Sequence, residues 1–301
     1  MKSAPALHGS RTIPFMRTLT EHLLHPLLIA GALGLWLAID DVGLATLAAV
    51  LAAQIVLRVC EHLYPAHPHW RQSSGQLWAI VAISVMALVL YGIVQGLYGV
   101  WFSAPLTDLR QNLELALWPT SWPMLAQVLL AFFVRDLMYY WIHRGTHRWT
   151  WLWRLSGHGF HHAFANLHAI NFQTTHPFEN FLLVIPPVLL AMLFRAPEEA
   201  VLGASMLTLV AASFAHANFY SRAHWLGWVI TNSNQHNRHH SNVFEESNTN
   251  FACNAIIWDR LFGTYSDGEV AQTGIGPTEP GTWAKFLMPF KEPADTETAP
   301  R

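Results

Sequence analysis

The chain has 301 residues, of which 52% are hydrophobic and 12% charged, whereas about 25% of residues are charged in an ordinary soluble protein. This composition excludes a soluble globular protein and a disordered chain, and a net charge of −2 gives no basic surface for nucleic acid. The two cysteines are too few for a disulfide scaffold or an iron–sulfur cluster, while 18 histidines outnumber Lys and Arg together. The composition predicts a histidine-rich membrane protein.

Four apolar segments are predicted to cross the membrane as helices. A spanning helix needs about 20 apolar residues to cross about 30 Å of hydrocarbon. Asp40 and Asp41 separate the first two segments, which therefore form a tight hairpin, and Arg135 and Asp136 interrupt the fourth. The four segments are 23–39, 42–57, 77–102 and 123–142.

Two further regions connect or follow these spans. Residues 102–122 contain turn signals and charges, and are assigned to an external loop. Residues 181–221 are predicted to form a shallow helical hairpin that enters the bilayer without fully crossing it, because its first half is short and contains Pro186-Pro187. The predicted fold is therefore an all-α integral membrane protein, with about four transmembrane helices, a shallow hairpin and a histidine-rich helical cap.

The distribution of basic residues orients this multi-pass topology. With the N-terminus in the cytoplasm, most Lys and Arg residues lie on the cytoplasmic side, as the positive-inside rule requires. The same orientation places every histidine from His143 to His240 on the cytoplasmic face. The first residues lack the pattern of a cleavable signal peptide, so none is expected.

Eight histidines form three tight clusters. Residues three or four apart lie on one face of a helix, so two imidazoles at this spacing can bind one metal ion. In the second and third clusters, the middle and final histidines can face different ions. Eight imidazoles exceed the needs of one ion and suit two ions with nitrogen ligands. The clusters are His143-Arg-Gly-Thr-His147, His158-Gly-Phe-His161-His162 and His236-Asn-Arg-His239-His240.

These clusters, with Asn250-Phe-Ala and the segment Ile257-Trp-Asp-Arg-Leu-Phe-Gly-Thr264, resemble the fatty acid hydroxylase/sterol desaturase superfamily over about residues 130–268. The resemblance implies a di-metal centre on the cytoplasmic side that activates O₂. His216 is predicted to be a ninth ligand, since the helix before it returns to the cytoplasmic side and members of the superfamily tend to carry a histidine there. The implied ligands are His143, His147, His158, His161, His162, His216, His236, His239 and His240.

Two iron ions are the expected cofactor, because reaction of O₂ with an unactivated C–H bond needs a redox-active metal. Zinc lacks redox chemistry, yet it binds imidazole more tightly than Fe²⁺ and can replace iron in purified material. Asp136 and Asp259 are predicted to be carboxylates that support the metal-binding histidines. For Asp136, an ion pair with Arg135 or a role as interface anchor is the alternative interpretation.

The resemblance implies an O₂-dependent enzyme that hydroxylates or desaturates a lipid, such as a fatty acyl chain or a sterol. The sequence has no flavin, nicotinamide or haem motif, so a cytochrome b5-like protein, a ferredoxin or a reductase is expected as external electron donor. The alternative is a membrane metal carrier or sensor. Such proteins place ligands within several spans, however, and the spans between residues 23 and 102 are almost free of polar groups.

The sequence is accordingly divided into three parts. Residues 1–122 form an N-terminal transmembrane region, and residues 123–268 form a di-metal catalytic domain. Residues 269–301 form a C-terminal segment whose tail, from Glu292 onward, is predicted to be disordered.

Overall fold

The computed structural model describes residues 12–70, 72–293 and 296–300. Within these ranges the backbone forms helices and loops and no β-strand, which confirms the predicted all-α class. The first half of the chain consists of four long helices. They are α1 (Thr12–Leu37), α2 (Val42–Leu63), α3 (Ser74–Asn112) and α4 (Met124–Arg148).

One further long helix and several short ones follow. The helices are α5 (Thr150–Ser156), α6 (Gly159–His162), α7 (Asn180–Leu183), α8 (Ile185–Met192), α9 (Glu198–His216), α10 (Ser233–His239), α11 (Phe244–Ser247), α12 (Ile257–Phe262) and α13 (Thr282–Phe286). Glycines in the left-handed conformation end α5 and α12: Gly157 has φ 69° and Gly263 has φ 72°.

Local signals in the sequence set the ends of the long helices. The Asp41 carboxylate accepts a hydrogen bond from the Leu44 N–H at 2.7 Å, and this cap starts α2 immediately after α1. Ser73 starts α3 through a reciprocal capping box with Gln76. Helix α3 then continues past Pro105 to Asn112, so the first part of the predicted external loop is helical.

Four helices within the described residues are long and apolar enough to cross a membrane: α2, α3, α4 and α9. The number agrees with the prediction, but α9 takes the place of the first predicted span. Helix α1 is not in this set, and its apolar run is interrupted by Glu21, His22 and His25. Helices α7 and α8 form the short half of the predicted hairpin, while α9 is long enough to span.

Helix α9 is the centre of the helical core. It packs against α1, α2, α4 and α10, and most of its side chains are buried. Small residues allow the close approach: a Cβ atom at Gly203 would lie 2.7 Å from Val128 Cγ2 on α4 and 3.0 Å from the Trp36 ring on α1. This packing matters for function because α9 ends at His216.

We expect Gly203→Ala to destabilise the fold, because the added methyl group must displace the Val128 side chain. Overpacking of this kind costs about 1–3 kcal/mol. The matched control is Gly96→Ala in α3, where nothing lies within 4 Å of the added carbon and the substitution should be neutral or stabilising by up to about 1 kcal/mol. Thermal unfolding of both variants in detergent measures the difference. Equal stability of the two would contradict the close packing.

The C-terminal tail is packed in its described part, so the prediction of disorder from Glu292 is wrong there. The Glu292 carboxylate accepts a hydrogen bond from the Trp153 indole at 2.9 Å. Thr150 donates a hydrogen bond to the carbonyl of Pro300 at 2.8 Å, and Thr298 is only 1% exposed. The tail is ordered because it packs on α5, where Glu292 provides the acceptor that the buried Trp153 indole N–H needs.

Candidate metal centre

The nine histidines predicted as ligands meet at one end of the helical core. His143 and His147 lie one turn apart near the end of α4, and His216 is the last residue of α9. The second cluster occupies α6 and the residue before it, and the third occupies α10 and the residue after it. Helix α10 is started by a capping box between Asn232 and Gln235. All nine side chains are buried, with exposures of 7% or less.

The nine imidazoles divide into two groups, and within each group the potential ligand atoms lie within 4.8 Å of one another. The five-histidine group consists of His143, His147, His158, His162 and His239, and the four-histidine group consists of His161, His216, His236 and His240. Each of the two HxxHH clusters therefore contributes to both groups. In this arrangement the middle and final histidines of a cluster lie in different groups, and they would face different ions if each group held one.

Backbone carbonyls fix the orientation of four of these rings. A carbonyl oxygen can only accept a hydrogen bond, so each Nδ1 that contacts one must carry the proton. The other ring nitrogen, Nε2, is then left with a free lone pair, which is the form that binds a metal. The contacts are His143 to Phe251 (2.6 Å), His161 to Thr174 (3.3 Å), His216 to Ala212 (2.8 Å) and His239 to Thr249 (2.8 Å).

The Nε2 atoms converge in a way that hydrogen bonding does not explain. His158 Nε2 lies 2.9 Å from His143 Nε2 and 3.1 Å from the Nε2 atoms of His147 and His162. In the four-histidine group, His216 Nε2 lies 3.1 Å from the Nε2 atoms of His161 and His236. One nitrogen can donate at most one proton, so these contacts leave lone pairs facing lone pairs. A cation in each group would remove this repulsion, and the donor set therefore fits two metal ions.

Burial keeps the imidazoles outside the membrane-spanning helices in the neutral state that metal binding requires. It lowers the pKa of His158 to about 3 and that of His161 to about 4. The pKa values of His162, His236, His239 and His240 are lowered as well, because each ring is desolvated and surrounded by other imidazoles. At neutral pH these rings therefore carry no charge. Protons then compete little with a metal ion for the imidazole lone pairs.

Glu179 is the carboxylate that contacts a clustered histidine, and the sequence reasoning missed it. His158 Nδ1 donates a hydrogen bond to Glu179 Oε1 at 2.6 Å, and both side chains are buried. Burial raises the pKa of Glu179 to about 7. A signal was available in the sequence, since Glu179 is the only acidic residue between 137 and 197.

The two predicted carboxylates lie one contact further away from the imidazoles. Asp136 accepts hydrogen bonds from the Asn254 amide and the Ala255 N–H, both at 2.8 Å. Asp259 accepts from the N–H groups of Phe251 and Ala252 at 2.7 and 2.8 Å. Both therefore hold the backbone of the 251–255 loop, whose Phe251 carbonyl in turn orients His143. Asp136 forms no ion pair with Arg135 in the described structure.

A largely apolar cavity of about 330 Å³ connects the histidines with the membrane-spanning helices. Its walls come from α2, α3, α4, α8 and α9, with apolar side chains such as Leu88, Leu183 and Leu209. Both histidine groups contribute to the lining. The histidines that line it are His143, His158, His161 and His216. An apolar chain inside this cavity would thus lie against both groups.

Comparison with known proteins finds a matching family model and several similar proteins. The model for the family described as fatty acid hydroxylase matches residues 128–264. Ornithine lipid hydroxylase OlsE of Rhizobium tropici is 27% identical over 247 residues, 80% of this chain and 74% of that protein. Alkylglycerol monooxygenase of Danio rerio is 28% identical over 58% of this chain and 37% of its own length. Methylsterol monooxygenase erg25A of Aspergillus fumigatus is 29% identical over 40% of this chain and 39% of its own length.

No solved structure matches the chain. The family model begins in α4 and ends at Thr264, so the matched residues include the eight clustered histidines and His216. The relatives are named as lipid hydroxylases and monooxygenases. These matches confirm the predicted resemblance to the fatty acid hydroxylase/sterol desaturase superfamily over residues 128–264.

Proposed function

We propose that this chain is an integral-membrane, di-iron, O₂-dependent enzyme that hydroxylates a lipid. The observation that carries the proposal is the pair of histidine groups, whose Nε2 lone pairs converge beside one largely apolar cavity. Each group would hold one iron ion, with all nine histidines as ligands. Residues 123–268 remain our proposed catalytic domain, with the histidines on the cytoplasmic face.

The chain's own residues would prepare the site in three ways. Bound iron would supply the redox chemistry that activates O₂ and removes hydrogen from an unactivated C–H bond. The Phe251 carbonyl and the Glu179 carboxylate hold His143 and His158 with Nδ1 protonated and Nε2 toward the ion. Asp136 and Asp259 hold the loop that contains Phe251. The apolar walls of the cavity keep water from the reacting carbon.

The substrate we propose is an amphipathic lipid that enters the cavity from the bilayer. The cavity lies between membrane-spanning helices and is lined mainly by apolar side chains. Ornithine lipid hydroxylase and alkylglycerol monooxygenase, two of the relatives, are named for an ornithine lipid and for alkylglycerol. These names favour hydroxylation over desaturation. Two electrons per turnover would come from an external donor, such as a cytochrome b5-like protein, a ferredoxin or a reductase.

Comparative lipidomics tests the function directly. Cells that produce the chain should contain one lipid class enriched in a form heavier by one oxygen atom, compared with cells that produce His143→Ala. Loss of two hydrogens in place of the gained oxygen would identify a desaturase. If the lipids of the two strains are identical although the protein is loaded with iron and supplied with a donor, the proposed function is wrong.

A metal carrier is the alternative, and metal content distinguishes it. The clustered nitrogens are buried at helix ends, with no second set of ligands along a membrane path among the described residues. About two firmly bound iron ions per purified chain support the enzyme. A single ion that exchanges within the time of a gel filtration supports the carrier.

A further inference from the structure

Arg135 lies in the membrane-spanning helix α4, and its side chain lines the cavity. It has no acidic partner among the described residues. Its Nη1 donates a hydrogen bond to Ser205 Oγ on α9 at 2.6 Å. It forms no ion pair with any acidic residue that the structure describes. The neighbouring Asp136 is committed to Asn254 and Ala255. No acidic side chain of the described residues therefore lies within ion-pair distance of the guanidinium.

Such a charge is expensive inside a membrane, and ionisable residues there usually pair with each other or line a substrate pathway. A hydroxyl group is a neutral partner and does not balance the charge. The Ser205 hydroxyl is also donating its own proton to the Val201 carbonyl at 2.8 Å, which leaves only a lone pair for Arg135. A guanidinium carries five N–H donors, so donors remain for a group inside the cavity.

The position of Arg135 relates it to the histidines. Arg135 and His143 lie on the same helix and line the same cavity, and their eight-residue separation corresponds to roughly 12 Å along the helix axis. On α9, Ser205 and His216 also line it, separated by eleven residues, or roughly 16 Å. Apolar residues such as Leu209 and Ala212 line the cavity between them. The cavity thus has a cationic position and a metal-binding position joined by an apolar wall.

We propose that Arg135 binds an anionic group of the lipid substrate, a carboxylate or a phosphate, and thereby sets which carbon lies beside the histidines. This inference rests on the proposed function and narrows its substrate to an acidic lipid. Arginine suits both anions, because its planar fork of N–H donors matches two oxygens at once.

Binding of paired probes to the purified full chain in nanodiscs tests the proposal without turnover. The first pair is the fluorescent polyene parinaric acid and its methyl ester, and the second is a long-chain alkyl phosphate and the matching alcohol, used as competitors. A charge-assisted hydrogen bond predicts a preference for the anion of about tenfold or more. A preference within either pair supports the proposal and identifies the anion. Equal affinities within both pairs overturn it, and this comparison needs no variant.

Variants then assign the preference to Arg135. Arg135→Gln should remove the preference for the anion while the neutral probe binds as before, and Arg135→Lys should retain part of it. Ser205→Ala is the matched control, since it deletes the hydrogen bond between α4 and α9 but keeps the charge, and it should keep the preference. If Ser205→Ala and Arg135→Gln lose the preference equally, or if Arg135→Gln loses both probes equally, the contact is structural and the proposal fails.

The outcomes also separate this proposal from the proposed function. A chain that prefers the anion but oxygenates no lipid would overturn the proposed function and leave the assignment of Arg135 in place. A chain that oxygenates lipids but binds anionic and neutral probes equally would overturn the assignment of Arg135 and leave the proposed function in place.

Discussion

Alanine in place of His143, His161 or His239 should abolish lipid oxygenation and leave membrane insertion intact. Each substitution removes one converging imidazole from the five-histidine or the four-histidine group, and none of the three side chains is needed for the apolar surface of the spanning helices. We expect turnover to fall by at least about 100-fold, beyond the effect of losing an indirect contact to a metal site. Bound iron should fall together with activity.

The measurement is product formation from membranes with added donor, combined with iron content of the purified chain. His224→Ala is the control, because His224 is an exposed histidine outside both groups. Its activity and iron content should match those of the unaltered chain. Near-normal turnover of any of the three test variants would remove that histidine from the ligand set.

Glu179→Ala should weaken metal binding and turnover by about 10–100-fold, the range for partners of metal-binding histidines. The substitution leaves His158 Nδ1 without its acceptor in a buried site, so the ring can rotate or change its protonated nitrogen. Glu179→Gln retains an oxygen that accepts the same hydrogen bond and should keep more of both properties.

Iron titration of the two Glu179 variants, with activity as a second readout, measures the effect. Glu198→Ala removes an exposed glutamate at the start of α9 and serves as control. If Glu179→Ala binds iron as tightly as the control does, the contact with His158 contributes nothing to the site.

The sequence predicts the eight clustered histidines because their spacing is local. Pairs three or four residues apart share a helix face in any fold. His216 has no such partner, and its prediction depends on the predicted topology together with the family resemblance. The groups that hydrogen-bond to the rings of His143 and His158 cannot be predicted in this way, because they lie far from these histidines in sequence. His143 meets a carbonyl 108 residues away, and His158 meets Glu179 across 21 residues through turns without periodicity.

Asp136 and Asp259 show the limit of reasoning from residue type. Both are buried carboxylates near the histidines, as the sequence suggested. Asp259 binds two backbone N–H groups, however, and Asp136 binds one backbone N–H group and the Asn254 side chain. Backbone partners leave no mark in the sequence. Hydropathy has a similar limit, because it measures how apolar a segment is but not which helix lies at the centre of the core. For this reason hydropathy predicts a shallow hairpin for residues 181–221, whereas α9 is long enough to span the membrane.

The division of the HxxHH clusters between the two groups has a mechanical consequence. His161 and His162 are adjacent in sequence but lie in different groups, with ring centres 5.8 Å apart, and the same holds for His239 and His240 at 5.5 Å. Two peptide bonds, one at the end of α6 and one at the end of α10, therefore limit how far the two histidine groups can lie from each other. Because the members of each pair are adjacent in the chain, a hinge or domain movement elsewhere would carry the two groups together.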